Sequence, residues 1–240
     1  MLRTLIWFIY FWLYLIVMLP ILFYYWRLDL RRDPRLDEKV NQKVTNWARR
    51  LMRVAGMTVT VRGRENLPEG TAVFIANHQG NFDIPLMLSC LGHAHGLLAK
   101  QELARIPILR LWMRLLHCLF VDRSSPRAGM ESIVNGVKLL ESGHSLVIFP
   151  EGTRSRGDAM QEFKGGAFRI ASKSKVPVVP VTIDGSYRAM EANPTGWLIR
   201  PAHVTLTIHP AIPTDGMSRE ELRVLPQKTQ AMIASALKGA

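Results

Sequence analysis

The sequence predicts an α/β fold with a largely parallel central sheet flanked by helices, and with a membrane-embedded helical segment at the amino terminus. Short apolar runs typical of buried strands alternate along the chain with helical patterns. Polar clusters follow several of these runs, as they do where the strands of a parallel sheet end. In addition, residues 5–26 contain no charged side chain.

The length of 240 residues suits one domain with a full apolar core. The formal charge of +12 favours an anionic partner. Nucleic acid, anionic lipid and a phosphorylated substrate all meet this requirement, and charge alone does not choose among them. Cys90 and Cys118 lie in apolar surroundings without CxxC or metal-ligand spacing. We therefore expect two buried free thiols and a reducing compartment.

The uncharged run is long enough to cross the hydrocarbon layer of a membrane. It is too long for the apolar region of a secretory signal, and no small-residue cleavage site follows it. Pro20 and the clustered aromatic residues leave a second arrangement open, a shallow hairpin within one leaflet. We expect residues 1–35 to form a membrane anchor, either a spanning helix or an intramembrane hairpin, and residues 36–240 to form one domain outside it.

Basic residues are distributed unequally around this run. Only Arg3 precedes it, whereas five basic residues follow it, namely Arg27, Arg31, Arg32, Arg35 and Lys39. The positive-inside rule then predicts the inner (cytoplasmic) membrane with the domain facing the cytoplasm. Each basic residue close to an anionic membrane surface would add about 1 kcal/mol of attraction.

The remaining elements follow from periodicity and from end signals. Apolar residues recur every three or four positions between 36 and 54, which indicates an amphipathic helix, and residues 57–62 alternate like a strand. Gly143 closes one helix, and Ser218 with Glu221 opens the last one. Strands are predicted at 57–62, 71–76, 96–99, 118–121, 145–150, 176–183 and 203–208, and helices at 36–54, 84–90, 106–117, 127–141, 166–174 and 218–237.

His78 and Asp83 form the first candidate catalytic pair. The strand at 71–76 would deliver His78 to a turn at its carboxyl end. Residues five apart point about 140° away from each other on a helix, so only a turn brings the two side chains together. We expect Asp83 to cap the next helix and to hold the imidazole as a general base. A histidine near an aspartate also occurs by chance, so the other clusters decide its meaning.

Residues 149–157 follow the strand at 145–150 and contain Gly152, Thr153 and Arg154. Backbone N–H groups, a hydroxyl and guanidiniums in such a turn suit a phosphate, although a solvated surface turn has the same composition. Arg123 emerges after another strand and is a further phosphate ligand or a solvated turn residue. The apolar strand at 176–183 either walls an apolar pocket or is purely structural.

The motif NHQGNFD (77–83), the strand-end Arg123, the motif FPEGTRS (149–155) and the segment VPVVPV (176–181) occur in this order. In this order and spacing the chain resembles the glycerolipid acyltransferase family over roughly residues 55–215, and it looks most like the bacterial lysophosphatidic acid acyltransferases of that family. The resemblance implies the residue roles. His78 matches the base and Asp83 its partner, and the positions matched to acceptor binding are Lys100, Arg123, Glu151, Gly152, Thr153 and Arg154.

The resemblance implies transfer of a fatty acyl group from acyl-CoA or acyl carrier protein to the sn-2 hydroxyl of lysophosphatidic acid, without metal or cofactor. The expected partners are a membrane lipid, the acyl donor and an anionic membrane surface, and not nucleic acid. Two alternatives stay open: an acyltransferase for another lysophospholipid or lyso-amino lipid, and a non-catalytic lipid-binding protein. We further expect the helix at 106–117 to line an acyl-chain groove, with Leu111 and Leu115 facing it, unless it is ordinary core.

Overall fold

Within residues 1–122 and 126–237, which the computed structural model describes, seven strands form one central sheet. All neighbouring strands are parallel except the pair β6–β7, so the prediction of a largely parallel sheet is confirmed. The order across the sheet is β1-β7-β6-β2-β5-β3-β4. The strands are β1 (Thr58–Arg62), β2 (Val73–Ala76), β3 (Gly96–Lys100), β4 (Leu119–Val121), β5 (Leu146–Ile148), β6 (Val178–Asp184) and β7 (His203–Ile208).

The helices begin and end close to the predicted positions. The capping box at the start of the last helix is confirmed, because Ser218 and Glu221 exchange hydrogen bonds with each other's backbone N–H. The helices are α1 (Leu2–Val17), α2 (Leu19–Leu30), α3 (Leu36–Ala55), α4 (Asp83–Cys90), α5 (Pro107–Leu115), α6 (Pro126–Glu141), α7 (Gly166–Lys173) and α8 (Arg219–Ala234).

Helices cover both faces of the sheet, because successive side chains of a strand point to opposite faces. In β2, Phe74 and Ala76 pack into one core with residues of α1 to α5, whereas Val73 and Ile75 pack into a second core with residues of α6, α7 and α8. Every residue of β6 is buried. The predicted strand at 176–183 is therefore an inner strand of the sheet, between β7 and β2, which agrees with the purely structural alternative.

The amino-terminal segment is two helices, not one. α1 and α2 meet at Met18 with an angle of 48°, and Pro20 occupies the first turn of α2, where its missing N–H costs nothing. Among the described residues no single helix is long and apolar enough to cross a membrane, but this bent pair together has the length and composition to do so.

The amino-terminal helices pack directly on the domain. Leu15 and Leu22 are buried in the first core, and the indole N–H of Trp7 donates to the Leu51 carbonyl of α3 at 3.0 Å. The backbone N–H of Ile199 donates to the Thr4 hydroxyl at 2.9 Å. The outer face of the pair stays exposed and apolar; for example, Ile9 is 53% and Leu13 is 54% exposed.

Both cysteines are buried free thiols, as predicted. Burial raises the pKa of the Cys118 thiol to about 12. The thiol therefore stays protonated and unreactive at neutral pH.

Candidate active site

The two polar motifs lie side by side at the carboxyl edge of the sheet. His78 follows β2, and the turn at 149–157 follows β5, which is the parallel neighbour of β2. The backbone N–H of Ser155 donates to the His78 carbonyl at 2.8 Å, and that of Arg156 donates to the Gln79 carbonyl at 3.1 Å. These bonds hold the second motif against the first.

His78 and Asp83 form the predicted pair. The distance from His78 Nδ1 to Asp83 Oδ2 is 2.7 Å, and the Asp83 side chain is fully buried. The prediction that Asp83 is an N-cap is wrong, because the N-cap of α4 is Phe82 and Asp83 is the first helical residue. The Asp83 carboxylate instead accepts from His78 and from the Gly80 N–H at 2.9 Å.

Ser186 completes the surroundings of Asp83, and the sequence motifs did not indicate it. It follows β6, the other parallel neighbour of β2, and its hydroxyl donates to Asp83 Oδ1. In the same loop, the Gly185 N–H donates to the buried side-chain oxygen of Gln79 at 2.8 Å. The sequence feature that could have indicated Ser186 is its position, because the pair Gly185-Ser186 directly follows an apolar strand.

The imidazole of His78 has one nitrogen left for chemistry. Because an ionised carboxylate only accepts hydrogen bonds, Asp83 holds the proton on Nδ1, which leaves the lone pair of Nε2 available as a base. The ring stacks on Phe149 with centroids 4.2 Å apart and an angle of 22°, so its orientation is set from two sides. The side chain is 17% exposed.

Glu151 does not face the substrate space, contrary to the expectation for an acceptor-binding residue. It is 2% exposed, and its two oxygens accept from the backbone N–H groups of His78 at 2.6 Å and Gln161 at 2.8 Å. Burial raises the pKa of this carboxyl, although those two N–H groups act in the opposite direction. The carboxylate thus positions the backbone of the base.

Arg154 is held at the rim of the site by two residues that sequence reasoning missed. Its guanidinium donates to the Asn81 side-chain oxygen and, at 3.3 Å, to Glu191 Oε1. The same Glu191 oxygen accepts from the Asn81 N–H at 2.8 Å. A Cβ on Gly80 would come within 2.4 Å of Glu191 Oε2, so glycine leaves the room that Glu191 occupies.

One cavity of about 550 Å³ joins the base to the predicted cationic residues. His78, Lys100, Gly152, Thr153 and Arg154 all line it, and Arg156 lines it as well. Arg123 lies outside the described residues; the adjoining strand β4 ends at Val121.

The rest of the cavity wall is apolar. One face of α5 and the following turn contributes Leu109, Trp112, Met113 and Leu116, which are spaced as one stripe of a helix. The groove expected beside this helix is therefore present, but the predicted residues Leu111 and Leu115 do not line it. Further wall residues come from α1, α3 and α4, including Phe11, Tyr14, Trp47, Ile84 and Leu88.

Comparison with known proteins agrees with this geometry. The family model described as Acyltransferase matches residues 58–184. The 1-acyl-sn-glycerol-3-phosphate acyltransferase of Pseudomonas aeruginosa is 30% identical over 199 residues, which are 81% of this chain and 76% of that protein. A chloroplastic 1-acyl-sn-glycerol-3-phosphate acyltransferase of Arabidopsis thaliana is 35% identical over 64% of this chain and 43% of that protein.

The fold also matches a solved structure. The crystal structure of the 1-acyl-sn-glycerophosphate (LPA) acyltransferase from Thermotoga maritima superimposes with a TM-score of 0.82 at 29% identity, covering 98% of this chain and 92% of that one. With several curated relatives the match spans only about half of their length, between 43% and 58% for three of them. The matched family region contains the His78–Asp83 pair, Glu151 and Arg154, and this chain belongs to the acyltransferase family.

Proposed function

We propose that this chain transfers a fatty acyl group from an acyl thioester to the sn-2 hydroxyl of lysophosphatidic acid, which gives phosphatidic acid. The observation that carries the proposal is that His78, held by the buried Asp83, lines the same cavity as the basic side chains and the apolar wall. A lysophosphatidic acid has the matching parts: a phosphate, a hydroxyl near it and an acyl chain. The names of the relatives support the same acceptor.

The proposed chemical step uses groups of this chain alone and needs no metal or cofactor. His78 Nε2 takes the proton of the acceptor hydroxyl as its oxygen attacks the thioester carbonyl. The C–O bond forms, the C–S bond of the tetrahedral intermediate then breaks, and the thiol of the carrier leaves with that proton. Asp83 stabilises the imidazolium that exists between the two proton transfers.

Acceptor binding depends on the cations at the rim. Arg154, Lys100 and Arg156 line the cavity together with Gly152 and Thr153, so a phosphate at this place meets positive charge and the N–H donors of these basic side chains. Binding the phosphate here would fix the hydroxyl beside His78, and such positioning supplies much of the rate in transfer reactions. Arg123 is proposed as a further phosphate ligand from the sequence motif.

The donor is proposed to be acyl-CoA or an acylated acyl carrier protein. The enzyme is proposed to lie at the inner (cytoplasmic) membrane, with its domain facing the cytoplasm. The exposed apolar face of α1 and α2 supports contact with lipid. The net charge of +12 favours an anionic membrane surface. We expect no nucleic acid to take part.

The test is acyl transfer by the purified, detergent-solubilised chain. A labelled acyl-CoA is offered with lysophosphatidic acid and, separately, with lysophosphatidylcholine and lysophosphatidylglycerol. We expect labelled phosphatidic acid from the first acceptor, and a rate reduced about 10²–10⁴-fold in His78→Ala, the range that a general base contributes.

The matched control is His93→Ala, which removes a histidine that does not line the 550 Å³ cavity. It should retain the wild-type rate. Transfer only to the other lysophospholipids would show that the proposed reaction is right and the proposed acceptor is wrong. No transfer to any acceptor, with acyl-CoA or with acyl carrier protein as donor, would overturn the proposal.

A further inference from the structure

A second cluster of polar side chains lies at the opposite edge of the sheet. Asp37 is in the first turn of α3, His117 lies just before β4, and His144 lies just before β5. The candidate ligand atoms of the three side chains all lie within 4.8 Å of one another. Because the residues come from three separate parts of the chain, only the fold brings them together.

The individual distances are short. His117 Nε2 lies 2.9 Å from Asp37 Oδ1, and His144 Nδ1 lies 3.9 Å from Asp37 Oδ2. The two imidazoles stack with centroids 3.7 Å apart and an angle of 20°. The side chains are 47% exposed for Asp37, 36% for His117 and 29% for His144, so ions in solution have access to them.

The backbone at His117 is unusual, because its φ of +58° lies in the left-handed region that non-glycine residues adopt rarely and at a cost. Gly143 before His144 has a φ of +91°, which glycine adopts readily after a helix. The left-handed turn ends α5 and starts β4 immediately afterwards. It places the His117 ring against Asp37 instead of letting the helix continue.

We propose that Asp37, His117 and His144 bind a divalent transition metal, with zinc as the expected ion. Two imidazoles and one carboxylate are ligands that zinc accepts in four-coordinate sites. Bond lengths near 2.0–2.1 Å put neighbouring ligand atoms about 3.3 Å apart around a tetrahedral centre. The ligand atoms lie within 4.8 Å of one another, with His117 Nε2 2.9 Å from one Asp37 oxygen and His144 Nδ1 3.9 Å from the other, so they must draw together by about 1.5 Å at most to hold one ion.

Binding requires a small rearrangement of side chains. Stacked rings direct their lone pairs along parallel lines, so the imidazoles must turn about χ2 to point at one ion, and this torsion is soft. The cluster also borders a cavity of about 360 Å³, which has room for water as the fourth ligand.

The metal would act on the fold and not on the acyl transfer. His117 and His144 precede β4 and β5, at the amino edge of the sheet, whereas His78 follows β2 at the carboxyl edge. His117 comes directly after α5, whose apolar face lines the cavity at the active site. A bound ion would tie this end of α5 to the start of α3 and to the loop between α6 and β5.

Metal titration of the full chain without an affinity tag tests the proposal. The purified, chelator-treated protein in detergent is titrated with Co²⁺, followed by its visible absorption, and with Zn²⁺, followed by calorimetry. We expect one equivalent of each to bind, Zn²⁺ to displace Co²⁺, and the melting temperature to rise by about 2–4 °C or more. His144→Ala and Asp37→Asn should each weaken binding at least tenfold.

Two further variants keep the result interpretable. His117→Asn removes a ligand while retaining a residue type that tolerates the left-handed backbone, and it should also lose binding. His93→Ala removes a histidine that lines the same 360 Å³ cavity outside the cluster, and it should bind like the wild type. Absence of binding to the wild type, or equal binding by every variant that folds by circular dichroism, would overturn the proposal.

Discussion

Asp83 shows how a buried carboxylate is kept in place in this chain. It has no exposed surface, and burying a charge without partners is costly. Three donors supply those partners: the His78 ring, the Gly80 N–H and the Ser186 hydroxyl. His78 and Gly80 lie in the loop after β2 and Ser186 lies in the loop after β6, so the carboxylate orients the base and also joins these two loops.

Asp83→Asn should nearly abolish acyl transfer. An amide offers one acceptor oxygen and one NH₂ group, so an N–H donor would face at least one of the existing donors and the His78 tautomer would be lost. We expect kcat to fall about 10²–10⁴-fold with little change in the KM for the acceptor. Asp215→Asn, at an exposed ion pair with Lys175, is the control and should keep its kcat. Wild-type turnover by Asp83→Asn would contradict the assignment.

Arg154→Ala should act mainly on acceptor binding. The guanidinium donates to Asn81 and Glu191 at the rim of the cavity, whereas His78 is bound by Asp83. A hydrogen bond to a charged group is worth about 1.5–3 kcal/mol, so KM for lysophosphatidic acid should rise about 10- to 100-fold. Steady-state kinetics on an acceptor series measure this, with Arg169→Ala on α7 as the control. A kcat loss with unchanged KM would instead place Arg154 in the chemical step.

At the scale of elements, α5 decides the shape of the apolar wall. Its residues 109, 112 and 113 line the cavity, and Leu111, although partly buried, does not. The same helix therefore contains both the positions that meet an acyl chain and a matched position that does not.

Met113→Trp should shorten the preferred acyl chain, because the larger ring fills part of the 550 Å³ cavity. Leu111→Trp, on the same helix, should leave the preference unchanged. Competition between acyl-CoA donors of different chain length measures the preference. The comparison is valid when the two variants have the same melting temperature. An equal effect of both substitutions would show that the wall of α5 does not select chain length.

The paired helices α1 and α2 should bind lipid through their outer face. The double change Ile9→Asp and Leu13→Asp places two charges on residues that are 53% and 54% exposed, and it should reduce cosedimentation with anionic vesicles. Val224→Asp changes an equally exposed residue, 55%, on α8 and should not. Equal retention of both variants on vesicles would exclude this face from membrane contact.

At the scale of the whole molecule, the stability should fall in acid through His95. This residue is buried against the Phe74 ring, with centroids 4.7 Å apart, and burial together with the neighbouring His93 lowers its pKa to about 3. The unfolded chain binds a proton near pH 6.5 and the folded chain does not, so stability is present above pH 6.5 and is lost as the pH falls towards 3.

His95→Phe tests this linkage, since phenylalanine stacks but does not titrate. Between pH 6 and 4 the free energy of unfolding of the wild type should decline more steeply than that of the variant, by about 1.4 kcal/mol per pH unit. Urea unfolding with a chelator present measures both slopes. Parallel slopes would show that His95 titrates in the folded state as it does in the unfolded chain.

Much of the fold could be predicted from the sequence, because periodicity and end signals are local. The strand before His78, the amphipathic helix at 36–54 and the capping box at Ser218 lie close to their predicted positions. The sequence left a spanning segment and a shallow hairpin open, and the 48° bend at Met18 is compatible with either a broken span or a re-entrant segment. The N-cap assignment of Asp83 failed because its carboxylate is used by His78 and Gly80.

By itself, the sequence determined the two motifs, their family and the placing of His78 and Asp83 around one turn, since these depend on residues only a few positions apart. Only the tertiary structure decided that Glu151 supports the backbone of His78, that Ser186 binds Asp83 and that Glu191 holds Arg154. The physical reason is the order of strands: β5 and β6 lie on either side of β2, so loops more than 70 residues away along the chain meet at one edge. Strand order depends on how the apolar faces pack together, and local patterns do not record it.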